Sequence, residues 1–270
     1  MYDMHNHTNH SHDAQSDIFE LCEKACEKGL LGIAITDHCD NEFCGWMDVI
    51  RPIRDSVAAV YEARERYQGR LKICSGVEIG EGIWFPDSAK KVLAAEEYDV
   101  VLGSVHAVRY PNFTIPYAQL NFSKFTRQQL EEFMDIYFDD MLEMIQNMDF
   151  DILTHLTCPL RYITGKYGIE MSLKPYREKI DRIFREIIDR SIAFEVNTAS
   201  LGTNYNVLVP EVEFIRRYHE LGGKLITVGS DSHMVCNVGK GFDFTRNTLK
   251  EIGFEHGYWY EKRKPMAYKL

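Results

Sequence analysis

Histidine, aspartate and glutamate recur along this chain in short clusters whose shared chemistry is the binding of cations. His5 and His7 are separated by one residue, so on an extended strand both imidazoles point to one side and can grip a single ion. Thr36-Asp37-His38 and Ser230-Asp231-Ser232-His233 bring an acid and an imidazole together twice. Glu78 adds a carboxylate whose two oxygens can bridge two cations, where an imidazole offers one nitrogen to each. His106 and His155 complete the set. Taken singly, each feature has an ordinary explanation: two polar residues on a strand face, an aspartate capping the next helix, a satisfied core histidine. In the loop behind His7, His10, His12 and Asp13 cannot all be ligands, and one of them is expected to be. His219, on a helical pattern, and His256, in the C-terminal tail, lie away from these clusters and are read as surface residues.

What favours the metal reading is the position of these residues relative to the apolar runs. The strand candidates are Tyr2 to His7, Gly32 to Thr36, Leu71 to Val77, Val100 to Val105, Ile152 to Thr154, Ala193 to Val196 and Leu225 to Val228, each short and rich in Val, Ile or Leu. Helical periodicity separates them. Asp17 to Lys28 follows the N-cap candidate Ser16 and stops at Gly29, and Pro210 to Leu221 opens with Pro and ends at Gly222-Gly223. Arg54 to Tyr67, Ser88 to Glu97, Arg127 to Asn147 and Pro175 to Arg190 carry the same spacing of apolar residues. Strands alternating with helices predict a parallel sheet, with His, Asp or Glu at the C-terminal end of nearly every strand. In a parallel barrel those ends converge on one face, where such folds place their active sites.

Composition narrows the class without naming it. Of 270 residues, 45% are hydrophobic and 27% charged, close to the globular average, and no low-complexity segment, repeat or Pro/Gly/Ser linker divides the chain, so one domain over 1–270 is expected. No run approaches a membrane span, and MYDMHNHTNHSHDA has neither the basic start nor the apolar stretch of a signal peptide, which points to the cytoplasm and away from membranes. The seven cysteines, Cys22, Cys26, Cys39, Cys44, Cys74, Cys158 and Cys236, lack zinc-knuckle spacing and read as reduced thiols, with Cys22 and Cys26 facing a core from one helix. A net charge of −10 argues against nucleic acid as partner and for a small substrate.

Asp3-Met-His5-Asn-His7-Thr8, Thr36-Asp37-His38, Gly76-Val77-Glu78, Gly103-Ser104-Val105-His106, His155, Glu195-Val196-Asn197-Thr198 and Gly229-Ser230-Asp231-Ser232-His233 occur in that order over nearly the whole chain. Together they resemble the polymerase-and-histidinol-phosphatase (PHP) family, and within it the monofunctional histidinol-phosphate phosphatases. The resemblance implies a distorted seven-stranded (β/α) TIM-like barrel and a trinuclear site holding Zn, Fe or Mn. It implies that His5, His7, Glu78 and Asp231 bind one cation, that Glu78, His106 and His155 bind a second, and that Asp13, His38 and His233 bind a third. A slip of one residue would exchange Asp13 for His12. The family's Asn-Thr-Ser-Gly-Leu-Arg stretch stands here as Asn197-Thr-Ala-Ser-Leu-Gly202, without the Arg.

The chemistry expected of such a site is phosphomonoester hydrolysis. Clustered cations neutralise phosphoryl oxygens and lower the pKa of bound water to about 7, so that a metal-bridging hydroxide can attack phosphorus. The leaving oxygen would take its proton from Asp231 or from metal-bound water. Arg161, soon after His155, is the preferred non-metal phosphate contact, since guanidinium matches phosphate in a fork; Arg109 and Lys240 are further candidates. Tyr110 and Tyr162 could wall an imidazole-bearing substrate. The family branch implies hydrolysis of L-histidinol phosphate in histidine biosynthesis. Another small ester or a nucleic-acid end would suit the same metals, and a non-catalytic metal-binding module is the alternative of another class. The sequence leaves the oligomeric state open.

Overall fold

Short runs of Val, Ile and Leu, buried on both sides, form parallel strands because only such strands can be covered by a barrel interior on one face and helices on the other. The computed structural model describes residues 1–40, 48–110 and 113–270. In chain order they form β1 (Tyr2–Asp3), α1 (Ile18–Glu27), β2 (Gly32–Ile35), β3 (His38–Asp40), α2 (Ile50–Arg66), β4 (Lys72–Gly80), α3 (Pro86–Leu93), β5 (Val100–Ser104), β6 (Ala107–Tyr110) and β7 (Phe113–Pro116). There follow α4 (Arg127–Asn147), β8 (Ile152–Leu153), α5 (Arg177–Asp189), β9 (Ala193–Asn197), α6 (Val212–Glu220), β10 (Ile226–Gly229), α7 (Phe242–Ile252), β11 (His256–Glu261) and β12 (Lys264–Lys269).

The parallel order is β1-β2-β4-β5-β8-β9-β10, which matches the seven runs read from the sequence. Met4 N donates to Val228 O at 2.9 Å and His7 N to Ser232 O at 2.9 Å, so the first and last strands meet and the sheet is a nearly closed barrel. Beyond the end of β2, β3 continues the pairing with β4 in the register His38↔Glu78 and Asp40↔Gly80. Alternation sorts the side chains: Ile73, Val77, Phe194 and Val196 join the large core under the helices, while Cys74, Leu102, Ile152 and Ala193 fill the barrel with Met4 and Tyr260.

The helices shift from their expected limits for local reasons. Asp17, not Ser16, caps α1: it accepts from Phe19 N, and Glu20 reaches back to Asp17 N, a capping box that Ser16 could not make because its third helical position would be Phe19. Helix α2 begins at Ile50, four residues early, because Pro52 falls in the first turn, where it costs no hydrogen bond, and Asp48 accepts from Ile50 N and Arg51 N. Helix α4 has the expected bounds and a Thr126/Gln129 capping box. Helix α7, β3 and the antiparallel pairs β6–β7 and β11–β12 are additions to the sequence reading, and His256 lies on β11 and not in an irregular tail. Six cysteines carry free thiols, of which Cys22 is buried on α1 and Cys26 half-buried; Cys44 lies outside the described residues.

Candidate metal centre

Along the strands the inward column changes character toward the C-terminal end. On β4 it runs Cys74, Gly76, Glu78, and on β9 Ala193, Glu195, Asn197, so the same alternation that fills the barrel with apolar groups delivers carboxylates to its mouth. The segment after β1 adds His5 and His7, whose rings lie 5.0 Å apart. The first residue of β3 supplies His38, and the loops after β5, β8 and β10 supply His106, His155, Asp231 and His233. Residues spread from His5 to His233 are thereby gathered into one cluster.

Glu78 stands at its centre. Its Oε2 lies 3.3 Å from His5 Nε2 and 3.6 Å from His7 Nε2, and Asp231 Oδ1 lies 3.4 Å from His7 Nε2. Its Oε1 lies 3.0 Å from His155 Nε2 and 3.3 Å from His106 Nε2. A third group forms where Asp13 lies 3.1 Å from His233 Nε2 and 3.6 Å from His38 Nε2, with the two imidazoles 3.4 Å apart. Asp13 is thus the loop residue that meets His38 and His233; the half-exposed His12 turns toward Asp40, with His12 Nδ1 3.8 Å from Asp40 Oδ2.

Some of these atoms pair, as His155 Nε2 does with Glu78 Oε1, and others converge with no hydrogen bond. His5 Nε2 and His7 Nε2 are buried and make no hydrogen bond, an arrangement that costs free energy unless something else occupies the space beside them, while His38 Nδ1 and Glu78 Oε2 face each other as an ion pair at 2.9 Å. Nitrogen and oxygen donors in groups of three, with donor atoms within 4.8 Å of one another, fit divalent cations such as zinc, iron or manganese. The rings are also held from behind. His5 Nδ1 donates to Glu195 Oε1 at 2.7 Å, His7 Nδ1 to Ser11 Oγ at 3.2 Å, and His233 Nδ1 to the Asp231 carbonyl at 3.0 Å, which leaves each Nε2 lone pair facing inward.

The charge balance points the same way. Burial works against charge on every member, yet His5, His106 and His38 hold Glu78 well below the usual carboxylate range, and His5, His7, His233 and Arg161 do the same to Asp231. Burial also opposes charge on His38, but Asp40 and Glu78 raise it to about 9, whereas burial together with His38 and His233 pushes His7 down to about 3. The carboxylates are anions that need positive charge beside them, the role that bound cations fill.

Two further carboxylates shape this end. Asp37 accepts from Thr8 N (2.6 Å), Ser11 Oγ (2.6 Å) and Ser56 Oγ (2.5 Å), so it clamps the loop that carries Asp13. Asp3 accepts from Ser230 N at 2.8 Å, Ser230 Oγ at 2.6 Å and Gly239 N at 3.0 Å, tying β1 to the loop that carries Asp231. The role of Glu195 was legible by the rule that found Glu78, as a carboxylate at a strand end in register with an inward apolar residue. Asp40 had no such signal, because three residues with no apolar run do not announce a strand.

A cleft of about 480 Å3 opens over the cluster, walled by Tyr117, Gln119, Cys158, Arg161 and Tyr162. Arg161 begins a π-helical turn, Arg161–Lys166, and its guanidinium donates to Asp231 Oδ2 at 2.9 Å. Arg109 and Lys240 lie away from the described lining: the Arg109 guanidinium sits over the Trp84 ring at 4.8 Å, and Lys240 packs beside Gly202. Tyr110 is drawn off in the same way, packing on Phe125 and Phe133, because β6 turns it toward the helices. His219 is half-buried with its ring edge-on to Phe254, and with the exposed His256 it lines a separate depression remote from the cluster.

The profile of the PHP domain family matches residues 3–199. A probable histidinol-phosphatase of Clostridium acetobutylicum is 31% identical over 255 residues, covering 93% of this chain and 92% of that protein. The histidinol-phosphatase of Lactococcus lactis subsp. lactis is 26% identical over 261 residues, covering 93% and 91%. The solved structure of the Lactococcus lactis histidinol phosphate phosphatase, complexed with zinc, L-histidinol and phosphate, shares the fold with a TM-score of 0.78 at 23% identity and covers 98% of each chain.

Proposed function

The chain belongs to the PHP domain family, and from that premise we propose that it is a metal-dependent phosphomonoesterase that hydrolyses L-histidinol phosphate to L-histidinol and phosphate, a step of histidine biosynthesis in the cytoplasm. The observation that carries the reading is the set of imidazole and carboxylate groups that converge in threes beneath the cleft, with His5 Nε2 and His7 Nε2 buried and without a hydrogen bond. Three divalent ions, Zn, Fe or Mn, would be held by His5, His7, Glu78 and Asp231, by Glu78, His106 and His155, and by Asp13, His38 and His233. When bound, such ions neutralise phosphoryl oxygens and make water nucleophilic near neutral pH.

The chain's own groups do the rest. Arg161 lines the cleft and offers its remaining N–H groups to a phosphoryl oxygen, while its bond to Asp231 fixes the fork. Asp231, held as an anion with Oδ2 engaged by Arg161 and by Asn197 Nδ2 at 3.4 Å, is suited to ligation more than to proton donation, so the leaving oxygen takes its proton from water. Tyr117 and Tyr162 supply the flat wall against which an imidazole ring can lie. In the reaction the P–O bond to the alcohol breaks and one to water's oxygen forms, with no oxidant or second substrate. No described helix is long and apolar enough to cross a membrane.

The test is metal analysis of protein purified without chelator, together with kcat/KM for L-histidinol phosphate against a panel of phosphomonoesters and short oligonucleotides. The expected result is three metals per chain and a preference of orders of magnitude for histidinol phosphate. A flat preference would retain the reaction class and overturn the substrate. Protein that neither holds metal nor cleaves any ester would overturn the site.

A further inference from the structure

We infer that Asp40 is a positioning residue: it fixes the ring of His106 and thereby keeps the group Glu78, His106, His155 competent to bind its cation. The inference rests on the metal reading of the cluster and goes beyond its ligand set. Strand β3 runs on from His38, and its register against β4 sets Asp40 opposite Gly80. Asp40 is buried, and its Oδ1 lies 2.9 Å from His106 Nδ1. With a carboxylate oxygen as acceptor at this distance, Nδ1 carries the hydrogen and the lone pair falls on Nε2. That nitrogen faces Glu78 Oε1 at 3.3 Å and His155 Nε2 at 3.3 Å.

Two further observations support the pairing. A Cβ on Gly80 would stand 2.6 Å from Asp40 Oδ1 and 3.2 Å from His106 Nδ1, so the backbone at this position leaves room for the pair only as glycine. Across the cluster, Glu195 holds His5 Nδ1 at 2.7 Å in the same manner, so Glu78 lies between two imidazoles that are each steered by a carboxylate from behind. His106 is the most exposed member of its group and sits on the link from β5 to β6. Among the described residues, His38 Nδ1 and His12 Nδ1 face Asp40 from farther off, both at 3.8 Å. His38, Asp40 and His106 also lie close enough to form a ligand group of their own. That use would draw His106 Nδ1 onto the ion, and the position assigned to Glu78 and His155 would lose its third ligand.

The experiment compares Asp40→Ala and Asp40→Asn in the full-length metal-loaded protein. Metal per chain and resistance to a graded chelator are measured with zinc as the probe ion, the His106 tautomer is read from 15N chemical shifts, and kcat and KM are measured separately. Asp40→Ala is expected to weaken one metal position by about 10–100-fold, to populate the other His106 tautomer and to lower kcat more than it raises KM. Asp40→Asn keeps an accepting oxygen and is expected to restore most of both readouts. Asp40→Ala with unchanged metal affinity and tautomer would overturn the inference, as would equal loss in both variants, which would make Asp40 a ligand. If the unaltered protein holds no metal, the site reading has failed instead, and the two failures are distinguishable.

Discussion

At the N-terminal end of the strands the barrel is filled by Met4, Ala34, Cys74, Val100, Leu102, Ile152 and Ala193 and stoppered by Tyr260, all buried and apolar in contact. Two residues beyond Ala193 on β9, and four beyond Cys74 on β4, the same inward columns present Glu195 and Glu78. The stoppered end is completed by the hairpin of β11 and β12, where Trp259 stacks on Tyr2 at 4.9 Å and the turn residues Lys262 and Arg263 both adopt positive φ. One end lowers the free energy of folding by removing apolar surface from water; the other gathers ionised groups in a buried place and raises it until cations arrive. A barrel can carry so costly a site because its stability is supplied elsewhere along the same strands.

The largest way to sharpen this contrast is Glu78→Gln. Loss of the carboxylate shared by two groups is expected to lower kcat/KM by about 10^4-fold, about 5 kcal/mol, with metal content falling and the folded chain retained. Steady-state kinetics beside metal analysis and circular dichroism check it, and retained metal with full activity would break the comparison. Tyr260→Ala is the converse. Emptying the stopper should cost about 3–5 kcal/mol of stability, seen as a lower midpoint in denaturant, while kcat/KM per folded molecule and metal content stay as they were. A metal deficit in that variant would show the two ends to be coupled.

Arg161→Ala comes next. Removing a charged donor from the cleft wall should cost about 1.5–3 kcal/mol of substrate interaction, on the order of 10–100-fold in kcat/KM, with Arg161→Lys recovering part of it. Unaltered kinetics would reduce Arg161 to a partner of Asp231. The smallest effect concerns a buried carboxylate without the imidazole company that Glu78 enjoys. Asp140 on α4 is pushed up to about 6, chiefly by burial, against the opposing pull of the Arg109 backbone N–H and charge. The folded chain therefore holds a proton between pH 4 and 6 that the unfolded chain has released, so this group's contribution to stability rises as pH falls through 6. Asp140→Asn should be more stable than the parent by about 1 kcal/mol above pH 7, with the difference vanishing toward pH 4. Thermal melts of the two proteins across that range test it, and a constant offset would refute the assignment.

Much of this molecule is legible in its sequence because its main signals are local. Hydrophobic runs mark the seven strands, capping residues mark the helices, and a ligand at a strand's C-terminal end has a known destination once the sheet is parallel. His5, His7, His38, Glu78, His106, His155, Asp231 and His233 are all visible in that way. What lay beyond reach depends on which groups meet from the side. Strand β3 has three residues and no apolar run, so neither its pairing with β4 nor the contact of Asp40 with His106 is written in any window of sequence. Arg109 resembled Arg161 as a cation just past a histidine of the cluster, yet one lies over Trp84 and the other lines the cleft, because the direction of a side chain is chosen by its neighbours in space. The choice between Asp13 and His12 is of the same kind: the residues are adjacent in sequence, and in the loop clamped by Asp37 it is Asp13 whose carboxylate reaches both His38 and His233. The sequence by itself determined the fold class and the supply of histidines and carboxylates at the strand ends, since periodicity and strand ends are local properties; the tertiary structure decided their partners, because pairing energies depend on distances that no spacing along the chain encodes.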